Sequence, residues 1–137
     1  MQKQTVDQLL EAIEHLYDAC RILRSVLREI EGGAIRGSEI SNSLAAAWFQ
    51  VNCCRLYTQS EVNLEELNIE AMGLINDAKC MIDSLIAWHK GMTPHGKLYI
   101  SHSIRFAGAN LNLVLTELES WLSTKTSGTP VEKIPTL

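Results

Sequence analysis

Apolar residues recur every three and then four positions along four stretches of the chain, the spacing that keeps one seam of an α-helix facing a partner. The first series is Val6, Leu9, Ile13, Leu16, Cys20, Leu23, Leu27 and Ile30, and the second is Ile40, Leu44, Ala47, Val51 and Cys54. The third runs Leu64, Leu67, Ala71, Leu74, Ala78, Met81, Leu85 and Trp88, and the fourth Ile100, Ile104, Ala107, Leu111, Val114, Leu118 and Trp121. These series predict helices near residues 4–31, 38–59, 63–90 and 97–123, with Leu16, Leu23, Leu74, Ile104 and Leu111 in the core.

Residues that start and stop helices fall between the series. Gly32-Gly33 suit the left-handed backbone that closes a helix, and Ser38 is placed to cap the second. Asn63 with Glu66 has capping-box spacing, Gly91 ends the third helix, and Pro94 prevents its continuation. Connections this short force antiparallel neighbours. The expected fold is therefore all-α, an up-down-up-down antiparallel four-helix bundle over residues 1–124, built from hairpins 1–60 and 61–124. Beyond Trp121-Leu122 the composition shifts to Ser, Thr, Gly, Pro and Lys without periodicity, so residues 125–137 read as a flexible tail.

The two hairpins resemble each other. Adding sixty to the seam of the second helix lands on the seam of the fourth, and Ser41, Ser43, Ala47 and Asn52 meet identical residues at Ser101, Ser103, Ala107 and Asn112. Between the first and third helices the best identities, Glu11-Ala12 with Glu70-Ala71 and Asp18-Ala19 with Asp77-Ala78, lie 59 apart, while the predicted seams lie 58 apart. That mismatch leaves duplication and convergent patterning equally open.

Length and composition suit one globular domain: 137 residues, 46% hydrophobic and 20% charged. The longest apolar run, Leu44 to Phe49, is too short to span a bilayer, and the first twenty residues mix charged with apolar positions. The expectation is a cytoplasmic protein with no membrane contact.

Chemistry-bearing residues are sparse. Cys20, Cys53, Cys54 and Cys80 form no CxxC pair, so they read as reduced thiols rather than metal ligands. Gly91 to Lys97 has the glycine and lysine spacing of a phosphate-binding loop, but Leu98 stands where the hydroxyl residue belongs and a helix stands where the strand belongs. His89, His95 and His102 cluster around the same connection. Trp88-His89-Lys90-Gly91 resembles in part the histidine, lysine and glycine of phosphotransfer bundles, without the gap those bundles place between histidine and lysine. No acid, base and nucleophile converge on one helix face, so the expectation is a protein that is not an enzyme and needs no cofactor or metal.

Charge and surplus apolar surface carry the functional expectation. The pole made by residues 21–40 and 85–105 holds Arg21, Arg24, Arg28, Arg36, Lys90, Lys97 and Arg105 against three glutamates, although the whole chain has a net charge of −4. Such a pole steers acidic partners, while nucleic acid needs a denser basic stripe. The centres of the second and fourth helices, Ala45-Ala46-Ala47 and Ala107-Gly108-Ala109, allow either close packing or a notch for a ligand or a partner's bulky side chain. Met72, Ile75, Ile82 and Ile86 form a second stripe on the third helix which, with Trp48 and Phe49, is expected to bind a partner. The chain therefore reads as a helical protein-binding module (adaptor, inhibitor or regulator) that recognises a protein with an acidic surface and forms a homodimer. The alternative is a phosphotransfer or nucleic-acid-binding bundle using the basic pole with His89 or His102.

Overall fold

Thr5 and Gln8 open the first helix reciprocally. The Gln8 backbone N–H donates to the Thr5 hydroxyl at 3.1 Å, and the Thr5 N–H donates to the Gln8 side-chain oxygen at 3.0 Å, a capping box. In the computed structural model, which describes residues 5–32, 37–87 and 93–127, the chain forms helices α1 (Val6–Gly32), α2 (Gly37–Thr58), α3 (Val62–Ala87) and α4 (Pro94–Ser127). Among the described residues there is no strand.

Each helix packs on its chain neighbours, and α1 closes the ring against α4. The bonds that cross between helices fix the antiparallel order. Ser41 reaches Asp83 while Arg55 reaches Glu65, and Glu31 pairs with Arg105 while Tyr17 reaches Glu119. The fold is thus the expected all-α four-helix bundle.

Several boundaries differ from expectation. α3 starts before Asn63: the Glu65 N–H donates to the Glu61 carbonyl at 2.9 Å, so the connection from α2 is only Gln59, Ser60 and Glu61. α4 begins at Pro94, whose missing N–H costs nothing in a first turn, and the Thr93 hydroxyl accepts the Gly96 N–H at 2.9 Å as its cap. That hydrogen bond places Thr93 to Lys97 in a helix cap. At the other end α4 continues through Lys125 to Ser127, past the expected start of the tail. The hydroxyls of Thr124 and Thr126 donate to carbonyls four residues back, which accommodates them in the helix. Residues 128–137, and with them most of the expected tail, lie outside the described residues.

The core confirms Leu16, Leu23, Ile104 and Leu111 as buried and places Leu74 at its half-buried margin. On α2 and α4 the predicted seams hold from Ile40 to Cys54 and from Ile100 to Leu118. On α1 the buried line is Leu9, Ala12, Leu16, Ala19, Leu23, Val26 and Ile30, with Cys20 and Leu27 at its edge. On α3 it is Leu64, Asn68, Ala71, Ile75, Ala78 and Ile82, with Leu67, Leu74, Met81 and Leu85 at its edge.

These observed lines remove the mismatch between hairpins. Leu9, Ala12, Ile13, Leu16, Ala19 and Leu23 each meet a buried residue 59 positions later, at Asn68, Ala71, Met72, Ile75, Ala78 and Ile82. That is the offset of the sequence identities. The buried positions of α2, from Ile40 to Thr58, recur sixty later in α4, from Ile100 to Leu118.

Candidate functional site

Seven-residue spacing puts Ser41, Trp48 and Arg55 on one face of α2. Ser41 donates to Asp83 at 2.6 Å and Arg55 pairs with Glu65 at 2.7 Å, so that face turns toward α3. The corresponding face of α4 carries Ser101, Gly108 and Leu115 and turns toward α1. Where α2 has an indole, α4 has a hydrogen atom. A Cβ built on Gly108 meets no atom within 4 Å.

The consequence is a groove of about 510 Å³ between α1 and α4. Leu23, Leu27, Ile104, Gly108 and Ala109 give it an apolar floor, and Cys20, Arg24, Arg105 and Asn112 complete its walls. Its ends are tied by two bonds between helices, from the Tyr17 hydroxyl to Glu119 and from Arg105 to Glu31. A hollow at Asp18, Arg21, Arg24 and Arg28 adjoins one wall, and another at Glu31, Lys97, Ser101, His102 and Arg105 adjoins the opposite one. Among the described residues, the basic pole is therefore hollowed along α1 and α4.

The cations of this pole are not equally free. Arg105 is paired with Glu31, Arg21 with Asp18 at 2.6 Å, and the Lys97 ammonium donates to the Glu31 carbonyl at 3.3 Å. Among the described residues, Arg24 and Arg28 make no ion pair. Arg36, Lys90 and His89 lie outside the described residues. His95 and His102 are exposed on α4, with the His102 ring tilted against Phe106 at 6.1 Å.

The thiols are poor nucleophiles where they are buried. Burial pushes the Cys20 thiol above its ordinary range against a smaller opposing pull from Arg24. Cys54 is pushed up to about 12 by burial, with the Asn68 amide acting the other way. Both remain protonated at neutral pH. Cys20, Cys53, Cys54 and Cys80 are all free thiols. No three His, Cys, Asp or Glu side chains among the described residues come together as a metal site.

The apolar interface expected on α3 requires correction. Met72, Ile75 and Ile82 are buried in the core, because a helix wedged between two neighbours buries a band wider than one seam. The other three expected contacts are accessible: Phe49 is 57% exposed, Ile86 43% and Trp48 38%. Ile86 also lies directly against the start of α2, where a Cβ on Gly37 would stand 2.9 Å from its side chain.

Other side-chain clusters escape the periodicity because they join distant residues. His15 shares a 2.7 Å hydrogen bond with Gln50 and stacks at 6.5 Å on Tyr57. Lys79 pairs with Asp83 at 2.8 Å, and Lys79, then Ser41, hold the Asp83 carboxyl below its usual range. No family model, curated protein or solved structure matches the chain.

Proposed function

We propose that the protein is a non-enzymatic binding module that receives an acidic segment of another protein in the groove between α1 and α4. The observation that carries this reading is the pair of arginines, Arg24 and Arg28, that make no ion pair among the described residues and stand beside an apolar floor left open at Gly108. Guanidinium groups stay charged at any physiological pH and grip carboxylates bidentately, so they serve recognition better than proton transfer. The thiol in the wall, Cys20, is kept protonated by its burial. Adaptors, inhibitors and regulators all work by such contacts, and a homodimer belongs to the same reading.

Fluorescence anisotropy with a labelled Glu- and Ala-rich helical peptide tests it. Binding is expected to weaken with added salt and to fall about tenfold or more in the Arg24→Glu, Arg28→Glu double variant, a loss of about 1.4 kcal/mol or more. Equal binding by the double variant refutes the site. The hollow lined by Lys97, His102 and Arg105 also lends support to the alternative reading, phosphotransfer or nucleic-acid binding with His102 at the rim. Tighter binding of a single-stranded oligonucleotide than of the peptide would favour it.

A further inference from the structure

The two hairpins repeat, yet their equivalent clefts are finished differently. In the cleft between α2 and α3, Trp48 stands between Ser41 and Arg55, and Asp83 is satisfied by Lys79 and Ser41. That half supplies its own aromatic side chain and pairs its own charges. In the cleft between α1 and α4, the place of Trp48 is taken by Gly108, the place of Asp83 by Arg24, and the place of Lys79 by Cys20. Gly108 leaves open space, and Arg24 has no carboxylate among the described residues. The counterparts of the Trp48 ring and the Asp83 carboxylate are therefore both missing from this cleft.

We propose that the groove between α1 and α4 is completed by a helical segment of a partner protein that brings both: a bulky aromatic side chain seated at Gly108 and carboxylates, on adjacent turns, paired with Arg24 and Arg28. This rests on the reading of the groove as an acidic-segment site and specifies its ligand. From Cys20 to Leu27 the groove runs about 10 Å along the helix axis, roughly two helical turns. An amphipathic helix laid there presents an anchor and its neighbours at i+3 and i+4, the usual mode of helix recognition in a groove. A buried aromatic anchor also supplies the large apolar area on which binding energy concentrates.

The test compares two labelled peptides of about 18 residues, long enough to hold a helix. Both are Glu-rich on one face; one has a central Trp and the other has Ala there. The unmodified protein is expected to bind the Trp peptide about tenfold tighter than the Ala peptide. Gly108→Trp, which installs the counterpart of Trp48, is expected to stay folded and to lose that preference while keeping weak, salt-sensitive binding of both peptides. Gly108→Met gives the same block with a more flexible side chain should the Trp variant unfold. Equal affinity for the two peptides, or a Trp preference that survives both Gly108 substitutions, overturns the aromatic anchor and leaves the acidic site standing. Peptide binding untouched by Arg24→Glu with Arg28→Glu, or an oligonucleotide that displaces the Trp peptide, overturns the acidic site itself. A dimer that either Gly108 variant converts to monomer identifies a second copy of this chain as the occupant and overturns the separate partner.

Discussion

Asn68 and Thr58 mark where the two halves of the core differ in kind. Their counterparts 59 and 60 positions away are Leu9 and Leu118, apolar residues at the matching level of the bundle. Here the Asn68 amide donates to the Thr58 hydroxyl at 3.0 Å, both residues are fully buried, and the Asn68 side-chain carbonyl oxygen has no partner. A buried polar pair of this sort adds little net stability, since desolvation offsets most of the bond. Its physical value is orientation: α3 cannot exchange places with α1 without stranding an amide among leucines. The energetics are asymmetric. Thr58→Val is expected to cost about 1–3 kcal/mol, because it strips the amide of its acceptor. Adding Asn68→Leu to Thr58→Val is expected to restore most of that loss, since no polar group is then left unpaired. Urea denaturation of the singles and the double checks this, and additive losses would show that the two side chains are not coupled.

Helix existence, order and pairing were legible in the sequence because a period near 3.6 is a property of every turn. Register on α1 and α3 was not. A strict 3-4 alternation through the largest side chains picks Cys20 over Ala19 and Leu74 over Ile75, whereas the bundle turns the line through Ala19 and Ile75 inward. Small residues sit at the closest approach of helix axes and carry little hydrophobic signal of their own. On α2 and α4 the predicted series coincides with the buried line from end to end of the core, and there the register holds. Helix ends were less legible again, since the Thr5–Gln8 and Thr93–Gly96 caps depend on backbone geometry. As for the site, the cations of the basic pole were visible in the sequence. The groove was not, because it arises where Gly108 on α4 meets α1, a pairing no local pattern encodes. The shifted register has a measurable consequence. Ile75→Ala is expected to cost about 2–5 kcal/mol through an unfilled cavity, and Leu74→Ala clearly less because its side chain is half in water already. Equal costs in chemical denaturation would return the seam to Leu74.

At the scale of the whole molecule, covering Met72, Ile75 and Ile82 within one chain moves the question of self-association to another face. Tyr99, Phe106 and Leu113 lie seven apart on α4, and Phe106 and Leu113 are each 58% exposed. Large apolar side chains exposed in line along one helix form a surface that another molecule can cover. A two-fold dimer would set the stripe of one copy against the same stripe of its partner. We expect sedimentation velocity to show a dimer at micromolar concentration, Phe106→Glu to give a folded monomer, and Ile75→Glu to lose helicity because it places a carboxylate in the core. Because Phe106 does not line the groove between α1 and α4, the Phe106→Glu monomer should still bind an acidic peptide, which separates the two surfaces. A dimer that survives Phe106→Glu but is lost in Phe49→Glu would place the interface on α2. A monomer across the whole concentration range would leave the groove as the molecule's binding surface and remove the homodimer.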